Sequence, residues 1–134
     1  MNRARDWLKQ AKRDLEHARR SREFGDYEWA CFAAQQAAEK ALKALHLAQG
    51  REVWGHSVLK LVEALPKGPD VPSGLAERAK QLDKHYVPPR YPNSYPEGAP
   101  ADFYTESDAD EALQAAEEVV RYCEDHLAGS GEDA

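Results

Sequence analysis

YEWACFAAQQAAEKALKALHLA, residues 27–48, is the stretch whose reading decides the fold. Trp29, Phe32, Leu42, Leu45 and Leu47 are spread among its alanines, so much of the helical circumference is apolar rather than one narrow stripe. A helix of that kind belongs at the centre of a bundle, and its alanines let neighbouring helices approach closely. The polar residues inside it, Gln35, Gln36, Glu39, Lys40 and Lys43, are then the unusual ones. Glu39 and Lys43 stand four residues apart, share a face and can pair. Gly25 and Gly50 supply the stops on either side, with Asp26 as the expected N-cap.

The same logic extends outward in both directions. Ala4, Trp7, Leu8, Ala11, Leu15 and Ala18 recur at three- and four-residue steps, which predicts an amphipathic helix over about residues 2–23. After a loop from Arg51 to Gly55, HSVLKLVEAL predicts a short helix with Val58, Leu61, Val62 and Leu65 inward, closed by Pro66. Residues 67–72 are loop by composition, and Ser73 is the expected cap of a fourth helix carrying Leu75, Ala79, Leu82 and Tyr86. That helix must end before Pro88, because proline disfavours helical geometry in the residue preceding it. Ala109, Ala112, Leu113, Ala116, Val119, Val120, Cys123 and Leu127 mark the last helix, whose acidic first turn suits the positive helix start. Nothing alternates with strand period. The expected fold is all-α: an antiparallel four-helix up-and-down bundle with an additional short helix and a long Pro/Tyr-rich loop before the last helix. One domain is expected over residues 1–128, followed by a flexible acidic tail at 129–134.

Composition narrows the function classes. A chain of 134 residues with 42% hydrophobic and 31% charged content has room for one core. No apolar run approaches the length of about 20 residues that a bilayer requires, and the charged N-terminus has no apolar signal core, so a cytoplasmic protein without membrane contact is expected. A net charge of −6 argues against a generic nucleic-acid binder. The average hides a gradient: residues 3–22 are rich in Arg and Lys, whereas beyond Asp102 the only cation is Arg121. Either the first and last helices pack side by side with complementary faces, or the basic face touches RNA or an acidic partner. Cys31 and Cys123 both fall on apolar helix faces, where a thiol serves as a small hydrophobe. The histidines His17, His46, His56, His85 and His126 form no helical pair and no CxxC accompanies them, so neither a metal nor another cofactor is expected.

One segment breaks the pattern. Between Tyr86 and Tyr104 lie five of the eight prolines and four of the six tyrosines. A connection of this length in a compact domain is usually functional or disordered, and its aromatic content favours order. Arg90 stands between Pro89 and Tyr91, whose restricted torsions would present its guanidinium at a defined place, and arginine suits two-donor binding of phosphate. His85 is a candidate acid, base or anion contact beside it. The competing reading is structural, with the segment wrapping a bundle end and Arg90 paired to Asp102 or Glu39. Pro89 to Pro92 also has the spacing of a PxxP ligand.

In order, the amphipathic first helix, GDYEWACFAAQQAAEKALKAL, the His56-led HSVLKLVEAL, HYVPPRYP and the Tyr-containing approach to the last helix resemble HEPN domain proteins of bacteria and archaea, over about residues 3–127. The resemblance implies a helical homodimer or higher oligomer, often encoded beside a minimal nucleotidyltransferase in a toxin-antitoxin-like pair. The cleft expected to bind a nucleotide, an RNA phosphate or a partner protein is formed by Arg90, Tyr91 and Tyr95, helped by His85 and joined by Glu39, Lys43 and His56. Many members are metal-independent ribonucleases in which an arginine is followed, after four to six residues, by a histidine. Arg90 matches that arginine, but the histidine positions hold Tyr95, Pro96 and Glu97. Tyr95, with a reference pKa of about 10, is a poor general base at neutrality. The expectation is therefore a nucleotide- or partner-binding protein. A ribonuclease using Arg90 with His85 or Tyr95, and a purely structural adaptor, are the alternatives.

Overall fold

The computed structural model describes residues 2–66 and 71–128, so the predicted acidic tail lies outside the described residues. Three long helices carry the fold: α1 (Ala4–Glu23), α2 (Tyr27–Ala48) and, completing the set, α6 (Glu106–Ala128). Between them stand the shorter α3 (Val58–Glu63), α4 (Leu75–Asp83) and α5 (Pro100–Phe103). No strand occurs among the described residues, in agreement with the all-α expectation. The fourth helix is only nine residues long, since the prolines at 72 and 88 leave little room for helical geometry between them. Its N-cap is Gly74 rather than the expected Ser73, and no side chain caps it.

Helix α2 is the hub, with Ala30, Ala34, Ala37, Ala38, Ala41, Leu42, Ala44 and Leu45 fully buried. Ala11, Leu15 and Ala18 of α1 and Ala112, Ala116, Val119 and Cys123 of α6 complete the core, as their spacing predicts. Gly25 and Gly50 both adopt positive φ, +83° and +79°, and end the helices before them. Burial pushes the Cys31 thiol up to about 12 and holds that of Cys123 high as well, so both are core residues without thiolate chemistry.

The charge gradient resolves into pairing between the first and last helices. Lys12 meets Glu124 at 2.6 Å, Arg19 meets Glu117 at 2.9 Å, and Arg22 meets both Glu106 and Asp110 at 2.7 Å. Rising numbers on α1 meet falling numbers on α6, so the two helices run antiparallel. These partly exposed pairs fix register more than they stabilise. Among the described residues no helix is long and apolar enough to cross a membrane.

A single carboxylate sets the arrangement of the short helices. Asp83, at the end of α4, accepts from Ser57 Oγ at 2.9 Å and from the backbone N–H groups of Val58 and Leu59 at 2.7 and 3.0 Å. The orphan donors at the start of α3 are thus satisfied by a residue 25 positions later in the chain. The consequence is local: His56, just before α3, is brought beside Tyr86, just after α4.

The predicted long loop contains regular structure. Pro92–Ser94 form a 3-10 turn, Pro100–Phe103 form α5, and the Asp102 carboxylate accepts from the Ala99 N–H at 2.9 Å.

Candidate functional site

On α2, Phe32, Gln36, Glu39 and Lys43 follow one another at steps of four, three and four, which places them along one face. That face meets the end of α4 and the turn after it. Arg90 closes this turn by donating its backbone N–H to the Val87 carbonyl at 3.0 Å. Its side chain then folds back, Nε donating to the Tyr86 carbonyl at 2.8 Å. The guanidinium lies over three rings, with Cζ at 4.5 Å from the centre of Phe32, 4.7 Å from Tyr86 and 5.3 Å from Tyr91. Each such contact contributes about 0.5–1 kcal/mol when exposed and more when desolvated.

No carboxylate pairs with Arg90 among the described residues. Glu39 is held elsewhere, and Asp102 serves α5. The structural pairing considered from sequence therefore does not form. A guanidinium offers five N–H donors, and only Nε is taken by the protein. The terminal donors remain at a half-buried position, against aromatic surface that lowers the local dielectric and strengthens any anion contact.

Behind Arg90 lies a polar network inside an otherwise apolar helix. Lys43 Nζ is 3.0 Å from Glu39 Oε2, and Gln36 donates to Glu39 Oε1 at 3.3 Å. His56 Nδ1 lies 3.2 and 3.3 Å from the two Glu39 oxygens, and its ring stacks on Tyr86 at 4.8 Å with an interplanar angle of 17°. Gln35, fully buried, donates to the His56 carbonyl at 2.8 Å. Lys43, Glu39, His56, Arg90 and Tyr91 are thus linked in one set of contacts, through Phe32 and Tyr86, which sequence reading did not assign to the site.

His85 and Tyr95 do not join them. His85 and Tyr86 are consecutive residues in the turn that follows α4, and their rings take different partners. Tyr86 faces α2; His85 faces α6. His85 Nδ1 is 3.3 Å from Tyr104 Oη, and the ring borders a small cleft of about 150 Å³ lined also by Lys84, Asp108 and Glu111. Burial lowers the His85 pKa, with Asp108 and Glu111 opposing and Lys84 adding to the effect. Tyr95 stacks on Phe103 at 4.5 Å and hydrogen-bonds to Tyr104, whose phenol is pushed up chiefly by burial. Neither His85 nor Tyr95 contacts Arg90.

A separate groove of about 1300 Å³ runs along α1, lined by Arg3, Lys9, Lys12, Arg13 and Lys40 among others. Lys12 and Lys40 are already neutralised there by Glu124 and Asp14 at 2.6 and 2.7 Å. Its size reflects a shallow surface between helices. Among the described residues no group of three or more His, Cys, Asp or Glu side chains is placed to hold a metal ion.

With this geometry in place, the comparison with known proteins decides the family. The HEPN domain profile matches residues 4–126. The chain belongs to the HEPN family. TT1696 from Thermus thermophilus is 56% identical, with a TM-score of 0.90 over 94% of this chain and 99% of that one. ST0689, described as an archaeal HEPN homologue, is 46% identical, with a TM-score of 0.80 over 95% of this chain and 99% of that one. A protein of Methanocaldococcus jannaschii named "Putative toxin MJ1304" is 29% identical, over 92% of this chain and 88% of its own length.

Proposed function

We propose that this HEPN domain binds the phosphate of a nucleotide or of RNA at Arg90, and that it acts in the cytoplasm as the HEPN component of a toxin-antitoxin-like pair with a minimal nucleotidyltransferase. The observation that carries the proposal is the state of Arg90. Its guanidinium is seated on Phe32, Tyr86 and Tyr91, anchored through Nε to the Tyr86 carbonyl, and matched by no carboxylate among the described residues. A buried or half-buried cation normally acquires an anion, and here the terminal donors are left to an external one. The relative named as a toxin supports the toxin-side role.

Exposed aromatic and apolar residues near this site support a homodimer. Trp29 and Tyr91 are 47% and 48% exposed and stand at either side of the Phe32–Tyr86 pair, a surface that a second copy can cover.

Anisotropy of a labelled ten-nucleotide RNA, measured in chelator at low salt, tests the assignment. Two charge-assisted bonds are each expected to contribute about 1.5–3 kcal/mol, so Arg90→Ala should weaken binding by at least about 100-fold. Arg90→Lys should not restore it, since lysine lacks the planar fork. Equal affinity for wild type and Arg90→Ala refutes the proposal.

A further inference from the structure

The groove along α1 is a concave surface that phosphate binding at Arg90 leaves unused. Its floor is apolar: Trp7 and Leu8 of α1 line it together with Leu127 of α6, packed on the buried Ala4 and Ala44. Lys43 Nζ lies 5.6 Å from the centre of the Trp7 ring, a cation-π contact that holds the indole in place. A half-buried indole between leucines is the kind of rigid anchor on which protein interfaces concentrate their binding energy.

The rim is charged, and its sign is opposite to that of the chain. Three of its cations are cancelled: Arg3 pairs with Asp6 at 3.0 Å, Lys12 with Glu124 at 2.6 Å and Lys40 with Asp14 at 2.7 Å. What is left is a stripe. Lys9, Arg13, Glu16 and Arg20 follow one another at steps of four, three and four, so they share one exposed face of α1. Glu16 is the single carboxylate of that stripe, and at 3.9 Å from Arg13 and 3.6 Å from Arg20 it is hydrogen-bonded to neither. Lys9 has no ion pair among the described residues. Three cations thus share one carboxylate, in a chain whose net charge is −6. With screening over about 8 Å, an approaching group meets this local excess rather than the overall charge.

We propose that the groove docks an acidic amphipathic helix of a partner protein. The apolar side of that helix rests on Trp7, Leu8 and Leu127, and its carboxylates face Lys9, Arg13 and Arg20. From Arg3 to Glu16 the groove follows α1 for about 20 Å, the length of a helix of about 14 residues. A second copy of this chain is a poorer occupant. Its acidic helix α6 turns Ala112, Val119 and Cys123 into its own core and has no apolar face to offer. A nucleic acid is poorer as well, because Asp6, Glu16 and Glu124 interrupt the cations along the path that a continuous phosphate backbone would follow. Carboxylates spaced along a helix can pass between those acids. The groove is separate from Arg90, so this proposal and the phosphate reading fail or stand independently.

A labelled synthetic peptide of about 14 residues, with leucines at three- and four-residue steps and glutamates beside them, tests this by fluorescence anisotropy against the full chain. Binding should saturate and weaken as salt is raised. Lys9→Glu combined with Arg13→Glu should lower the affinity by about 10-fold or more, since like charges then face each other. Both side chains are exposed, and an unchanged thermal melt confirms that the variant is folded. Lys9→Gln with Arg13→Gln should give a smaller loss in the same direction. A peptide with serine in place of leucine should bind far more weakly, whereas Arg90→Ala should bind the original peptide as wild type does. Absence of saturable binding, affinity indifferent to the charge reversal, or full affinity for the serine peptide overturns the proposal. Self-association lost in the charge-reversed variant would give the groove to a second copy. Loss of RNA binding in that variant with peptide affinity unchanged would give it to nucleic acid. Either result also overturns the proposal.

Discussion

The two halves of the segment from Asp83 to Tyr104 are made of the same residue types, yet they have opposite fates. Around Arg90, the rings of Phe32, Tyr86 and Tyr91 carry a cation that no carboxylate among the described residues pairs. Around Tyr104, the rings of Tyr95, Phe103 and His85 satisfy one another through stacking and hydrogen bonds. The first half resembles a site and the second a latch. Tyrosine and proline content alone therefore says only that a segment is ordered. What separates function from structure is whether the polar groups it fixes are satisfied inside the fold.

The comparison can be broken most severely at Asp83, which joins the halves to the rest of the domain. Asp83→Ala removes three bonds from the start of α3 and should destabilise the protein by about 2–3 kcal/mol, read from urea denaturation. It should also release His56 from Tyr86 and weaken RNA binding. Loss of stability without any change in binding would separate α3 from the site.

A smaller effect is expected in the latch. Tyr104→Phe removes the hydroxyl shared by His85 and Tyr95 and should cost about 1 kcal/mol, with RNA affinity unchanged. A binding defect in this variant would mean that the two halves act as one site.

The smallest effects are those of pH, and their signs follow from the direction of each shift. His85 is held below its ordinary 6.5 in the folded state, so its neutral form is favoured there. Its contribution to stability is complete above 6.5 and should be lost progressively as pH falls below that value. Tyr104 is held above its ordinary 10.0, so its contribution is complete below pH 10 and should be lost as pH rises beyond it. Thermal melts across both limits check this. In Tyr104→Phe the alkaline loss should shrink to the part that Cys31 and Cys123 contribute.

Much of the fold was legible because helical periodicity is a local signal. The apolar stripes of α1, α2 and α6, the glycine stops and the closure of α3 by Pro66 all stand where spacing places them. The length of α4 was less legible, since the prolines bounding it left its first and last turns open. The site divided along the same line. Arg90, Glu39 and Lys43 stand out in the sequence as polar residues in apolar or rigid settings, whereas His56 entered only through the family resemblance. His85 was expected beside Arg90 because it is near it in sequence, and Tyr95 because it stands where the family motif has its histidine, but His85 meets Tyr104 and Tyr95 stacks on Phe103. Asp83 as the cap of α3, and Phe32 and Tyr86 as the seat of Arg90, depend on contacts across 25 and more residues, and no local pattern announces them. The one signal within reach was the spacing of Phe32, Gln36, Glu39 and Lys43, a polar face on a helix otherwise suited to complete burial.

The most direct test of the central claim is nuclear magnetic resonance of the labelled chain titrated with a mononucleotide, following the Arg90 Nε–H and the tyrosine ring signals together. Phosphate binding at Arg90 predicts saturable shifts of Arg90, Tyr86 and Tyr91, with Tyr95 and Tyr104 unmoved. Shifts confined to Tyr95 and Tyr104, or to the groove along α1, would contradict it.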